Sequence, residues 1–204
     1  MLASIIAVAA SYLLGSVSFS ILIARWVKGI DIRKYGSGNA GATNTLRVLG
    51  KGPAAVVFLL DVGKGIAAVL LGKWLGDGQP WVPILCGAAA ITGHNWPIWF
   101  RFKGGKGIAT TIGVMATIAF WPALIAGVIA IAAVALTRYV SLGSLIFVTL
   151  LPVFILVLSM PRELFWASLL IWAYAFIRHR TNIVKLVRGQ EHKLGTGKGV
   201  QHGK

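Results

Sequence analysis

The chain has 204 residues, 57% of them hydrophobic and 12% charged, with a formal net charge of +15 from 20 Lys and Arg against 5 Asp and Glu. Soluble domains carry about 25% charged residues, so this composition excludes an ordinary soluble enzyme and points to the bilayer. The positive excess fits cytoplasmic loops and anionic headgroups rather than nucleic acid. A single cysteine, Cys86, excludes an intramolecular disulfide and a thiolate metal centre, and inside its apolar run it reads as a packing residue.

About 20 apolar residues cross the hydrocarbon core. The first such stretch covers 2–24. No basic segment precedes it and no cleavage site is forced, so it is expected to be retained rather than removed as a signal peptide. The loop at 25–52 follows, with Arg25, Lys28, Arg33, Lys34, Arg47 and Lys51. It contains Gly36-x-Gly38-x-x-Gly41, formally a dinucleotide fingerprint. That motif needs a βαβ unit, which does not fit between two membrane spans, so a nucleotide is not expected. The physical content survives. Glycines let the backbone approach an anion, and a following helix offers free N–H groups. Ser37, Asn39, Thr43 and Asn44 add neutral donors, and Arg47 can fork onto phosphate oxygens.

The second span, 53–76, carries Asp61 and Lys64. Ionisable groups at membrane depth are costly, and three residues apart these two pair on one helix face, which suits a supporting role. The third span, 81–99, leads into Lys103-Gly104-Gly105-Lys106-Gly107-Ile108-Ala109-Thr110. The Walker spacing is missing, so ATP is not expected. Lys106 can still hold a phosphoryl group at a helix start, and the Gly104 and Gly105 amides can face an oxyanion. His94, just upstream, fits equally a substrate contact or an interfacial belt with Trp96 and Trp99.

The fourth and fifth spans, 108–120 and 122–137, are divided at Trp121-Pro122. The sixth and seventh are 140–159 and 164–177. The reading is an all-α integral membrane protein of seven transmembrane helices, or five if the fourth and fifth are merged or re-entrant. The seventh span ends in Arg178-His-Arg-Thr-Asn182, where His179 and Asn182 share a face. Arg188 and Glu191 follow, and the tail from about 193 to 204 reads as flexible. Every Lys and Arg except Lys64, Lys73 and Arg162 falls on one side of seven spans. The N-terminus is therefore expected outside and the C-terminus in the cytoplasm.

Several machineries are missing. No acid lies five residues after His94 or His179, no Gly-x-Ser-x-Gly elbow occurs, and no cluster of His, Cys and carboxylate suggests a metal. No cofactor is expected. With few carboxylates, a carboxylate base is not expected, so a substrate must arrive activated or carry its own base.

Taken together the motifs resemble the bacterial membrane glycerol-3-phosphate acyltransferases that use acyl phosphate, the PlsY type. The matching residues are Gly-Ser-Gly-Asn-x-Gly-x-x-Asn-x-x-Arg at 36–47, Asp-x-x-Lys-Gly at 61–65, Gly-His then Gly-Gly-Lys-Gly-x-Ala-Thr within 93–110, and His-Arg-x-Asn-Ile at 179–183. The resemblance implies acyl transfer from acyl phosphate to the 1-hydroxyl of sn-glycerol 3-phosphate. Lysophosphatidic acid and phosphate are formed for phospholipid synthesis, at the cytoplasmic face of a bacterial inner membrane. It implies Lys106, His179 and Asn182 as catalytic. It implies Ser37, Gly38, Asn39, Asn44, Arg47, His94, Gly104, Gly105, Gly107, Thr110 and Arg188 as binding residues, with Asp61 and Lys64 in support. Either His179 or a substrate phosphate takes the hydroxyl proton. The implied partners are the two substrates and membrane lipid, without an obligate protein. The alternative is a transporter of a phosphate ester, which would spread polar residues through the spans and show internal repeats.

Overall fold

The computed structural model describes residues 1–195; positions 196–204 of the tail expected to be flexible lie outside the described residues. Among the described residues every regular element is helical. The helices are α1 (Leu2–Gly15), α2 (Phe19–Lys28), α3 (Ala42–Leu49), α4 (Lys51–Leu75), α5 (Trp81–Asn95), α6 (Ile108–Ile118), α7 (Phe120–Thr137), α8 (Val140–Val157) and α9 (Arg162–Val187). Short 3-10 turns at Ile32–Lys34 and Ile98–Phe100 sit in the two loops.

Among the described residues, four stretches are long and apolar enough to cross a bilayer: Leu2–Lys28, Lys51–Leu75, Phe120–Thr137 and Val140–Val157. The first is broken. Ser18 is extended, at φ −93 and ψ 93, and separates α1 from α2. The helices α5 and α6 have 15 and 11 residues, shorter than the spans expected at 81–99 and 108–120. They reach about 22 and 16 Å, against a hydrocarbon core of about 30 Å. Helix α9 runs past 177, and Arg178, Arg180 and Lys185 lie on its continuation.

The division expected at Trp121-Pro122 falls at Ala119, with φ −146 and ψ 62. Pro122 then lies in the first turn of α7, where its missing N–H leaves no helix bond unmade. The α1–α5 and α4–α6 crossings are close because glycines stand at them. A Cβ on Gly15 would strike the Ala90 carbonyl, and one on Gly113 would strike that of Val62. Lipid is as apolar as any side chain, so helices in it associate through such close backbone packing.

Met115, Val148, Leu151 and Ile155 are buried with Val69 and Ile91 in the main core. Outward-facing tryptophans mark both ends of the bundle. Trp74, Trp81, Trp121 and Trp166 lie at one end, Trp26 and Trp99 at the end with the polar loops, and all are exposed. Amphipathic rings favour the two membrane–water interfaces.

Candidate active site

The first loop is held by its own side chains. Asn44, on the first turn of α3, is buried. Its Oδ1 accepts from the Ser37 N–H at 2.8 Å, and its Nδ2 donates to the carbonyls of Ile32 and Tyr35 at 3.1 and 3.0 Å. The side chain of Asn44 is thus engaged in shaping the loop, while Ser37 and Arg47 remain turned to the cavity. Asp31 binds Arg33 at 2.7 Å, and this ion pair, with its hydrogen bonds, holds the Asp31 carboxyl down at about 2. Arg33 also donates to the Phe100 carbonyl at 3.0 Å, which ties the first loop to the second.

The second loop is clamped from α9. Arg178 donates to the carbonyls of Gly105 and Gly104, each at 2.9 Å, and its guanidinium lies 5.7 Å from the centre of the Trp96 ring. Positive-inside anchoring accounted for Arg178 in the sequence, and nothing local distinguishes it from Arg180; the clamp joins residues 73 positions apart. The Gly105 N–H donates to the His94 carbonyl at 3.1 Å. Gly104 and Gly105 are buried and off the cavity wall, which corrects the expectation that their amides face an oxyanion. Donors are available one turn later. Gly107, at φ +80, caps α6, and Ile108 and Ala109 line the cavity at a helix start whose first N–H groups have no partner within the helix.

Lys106 points from this loop toward α9, where its ammonium donates to Asn182 Oδ1. Asn182 Nδ2 in turn donates to Glu191 at 2.8 Å, and the same carboxylate oxygen accepts from Ser141 at 3.0 Å. Burial pushes the Lys106 ammonium down to about 8; the Glu191 carboxylate opposes this, and the Arg178, Arg47 and Lys185 cations add to it. Ser141 is a site residue that a lone serine in an apolar run does not announce.

His179 lies on α9 beyond the expected span and is buried against the cavity. Its Nδ1 is 2.8 Å from the Ala175 carbonyl. A carbonyl only accepts, so Nδ1 carries the proton and Nε2 is left as a bare acceptor. Burial, then the Lys106 cation, pushes the imidazole down to about 4 against the Ala175 hydrogen bond.

The expected Asp61–Lys64 pair is present at 2.7 Å, with Asp61 in the cavity wall and Lys64 behind it, both buried. Lys64 also donates to the Val17 carbonyl at 2.8 Å, a group freed by the break between α1 and α2. His94 Nδ1 lies 3.5 Å from Asp61, and this buried contact, rather than the interfacial belt, is its setting.

One cavity of about 410 Å³ joins these groups. Ser37, Asn39, Asn44, Arg47, Asp61, His94, Lys106, Gly107, His179 and Asn182 line it. Gly38, Thr110 and Arg188 do not: Gly38 and Arg188 are exposed, and Thr110 is buried behind the wall beside Gly65. The rest of the lining is apolar, including Ile112, Ala123, Gly127, Val134 and Phe147. Phe58 and Ile131 line it too, and they are 39% and 71% exposed on the lipid-facing surface.

A family model described as glycerol-3-phosphate acyltransferase matches residues 5–189. A glycerol-3-phosphate acyltransferase of Shouchella clausii is 56% identical over 201 residues, covering 96% of this chain and 98% of that one. One from Halalkalibacterium halodurans is 54% identical over 193 residues, covering 92% and 94%. The crystal structure of PlsY (YgiH), an integral membrane glycerol 3-phosphate acyltransferase, superimposes in its glycerol 3-phosphate form with a TM-score of 0.89, at 39% identity and over 95% of this chain and 96% of that one. Its lysophosphatidic acid form gives 0.86. Fold, cavity and relatives together define an integral membrane acyltransferase. Within that class, the chain belongs to the glycerol-3-phosphate acyltransferase family, in its PlsY branch.

Proposed function

We propose that the enzyme moves a fatty acyl group from acyl phosphate to the 1-hydroxyl of sn-glycerol 3-phosphate, releasing lysophosphatidic acid and inorganic phosphate. The observation that carries this reading is the division of a single cavity. One part presents Ser37, Arg47, Lys106 and Asn182, and the other is apolar. Such a cavity suits two phosphates and one acyl chain.

Acyl phosphate is a mixed anhydride, already activated, so the chemistry requires no cofactor. Lys106 and the free N–H groups at the start of α6 hold the donor phosphate and the developing oxyanion. Arg47 and Ser37 hold glycerol 3-phosphate beside it, which supplies proximity. The hydroxyl oxygen attacks the acyl carbon, and the bond from that carbon to the phosphate oxygen breaks. A phosphate monoanion gains its second charge near pH 6, whereas His179 is held at about 4. The phosphate is the stronger base, so the hydroxyl proton passes to a phosphate oxygen. His179 Nε2 accepts a hydrogen bond from the hydroxyl and aims it. Asn182 fixes Lys106, and Asp61 with Lys64 supports the wall behind.

The same reading takes seven spans, with α5 and α6 completed by their flanking turns, the N-terminus outside and the C-terminus in the cytoplasm. The cation-rich loops at the cavity's polar end support a cytoplasmic opening in a bacterial inner membrane. A phosphate-ester transporter is less well supported, because the polar lining gathers at one end.

The test incubates purified protein in lipid with acyl phosphate and labelled glycerol 3-phosphate. Labelled lysophosphatidic acid is expected. Product from acyl-CoA or an acyl carrier but none from acyl phosphate would overturn the donor assignment.

A further inference from the structure

We propose that Gly127 sets the acyl chain length this enzyme accepts, by keeping open the apolar limb of the cavity between α7 and α8. The proposal rests on the acyl-phosphate reading above.

Glycine inside a helix costs about 1 kcal/mol relative to alanine, so its place asks for a reason. One reason is close packing. Gly143, on α8, is of that kind: a Cβ there would strike Val134 and come within 2.9 Å of the Ala130 carbonyl. A second reason is a left-handed backbone. Gly127 has neither reason. It sits in the interior of α7 with ordinary helical geometry, and a Cβ built on it meets nothing within 4 Å. It lines the cavity, so the space in front of it is cavity space.

Its neighbours on that face agree. Ala123 and Ala130, four residues before and three after, line the same cavity and are small, while Phe147 of α8 contributes the bulky opposite wall. Val134 lies near the polar end, because Gly143 beside it is two residues from Ser141. From Val134 to Gly127 the helix rises about 10 Å, and to Ala123 about 6 Å more. An extended chain advancing about 1.3 Å per carbon brings roughly its eighth carbon level with Gly127. Shorter chains end before this point, and longer ones must pass it.

The test compares Gly127→Leu and Gly127→Phe with wild type, using hexanoyl and palmitoyl phosphate with glycerol 3-phosphate. Val128→Phe, one residue along on the lipid-facing side, is the control for bulk on α7; Val128 is 59% exposed. Filling a chain pocket changes kcat/KM by tenfold or more, so palmitoyl transfer is expected to fall by at least about tenfold in both Gly127 variants. Hexanoyl transfer should stay within about twofold, and Val128→Phe should leave both unchanged. Equal retention of the two donors, or equal loss of both, in the Gly127 variants overturns the proposal while leaving the donor reading intact. A wild-type enzyme inert toward acyl phosphate of either length overturns the donor reading and this proposal with it.

Discussion

Lys64 donates a hydrogen bond to the carbonyl of Val17 at 2.8 Å, so a buried cation on α4 caps the break between α1 and α2. The same ammonium neutralises Asp61. Lys64→Met would leave the aspartate buried without its partner, which costs about 3–5 kcal/mol. The expected outcome is a clear loss of thermal stability in detergent micelles. Replacing Asp61 with Leu in the same chain should recover part of it. A single variant as stable as wild type would show that the pair is dispensable.

Activity should decline on the alkaline side because of Lys106. Its ammonium is held at about 8, so raising pH through that value removes the charge that, on the function proposed above, binds the donor phosphate. The measured quantity is kcat/KM for acyl phosphate between pH 6 and 10, which should fall above about 8. Lys106→Arg keeps its charge over that range, and its profile should be flat there. The limb should move to lower pH in Glu191→Gln, since the carboxylate is what opposes the depression.

His179 gives a sharper division. If the proton goes to a phosphate oxygen, His179→Gln keeps an acceptor near the Nε2 position and should retain turnover within about tenfold. A general base contributes about 10²–10⁴-fold. A loss of that size in the Gln variant, with KM unchanged, would make the imidazole the base after all.

Arg178→Lys should loosen the second loop. One ammonium cannot hold both the Gly104 and Gly105 carbonyls in the planar fork that arginine provides. KM for acyl phosphate should rise by about tenfold with a smaller change in kcat, because the loop positions Lys106 rather than reacting. Steady-state kinetics of the two parameters checks this.

Much of this site can be read from residue types. Glycines next to Lys106, the His179 and Asn182 spacing, and the Asp61–Lys64 interval each place a group on a helix face or a loop, and the structure brings them to one cavity or its supporting wall. What escaped the reading depends on direction rather than identity. Asn44 looks like any donor in a polar loop, yet its amide turns inward to three backbone groups. Gly104 and Gly105 look like oxyanion donors, yet Arg178 and the His94 carbonyl occupy that stretch of backbone. The clamp and the Ser141–Glu191–Asn182 bridge join distant segments, and no local pattern records such pairing. Span ends were blurred for a related reason: α5 and α6 stop short where the loop carrying Lys106 begins and where Ala119 turns the chain.

Phe58 and Ile131 belong at once to the cavity lining and to the surface that faces lipid. On the function proposed above, donor and acceptor then reach the enzyme from phases of different dimension, one by lateral diffusion within a leaflet and one from water. Saturation by the fatty substrate is then governed by its mole fraction among the lipids, not by its molarity. Adding inert lipid at constant bulk concentrations should slow the reaction by surface dilution, whereas diluting vesicles of fixed composition at constant glycerol 3-phosphate should leave turnover per enzyme unchanged.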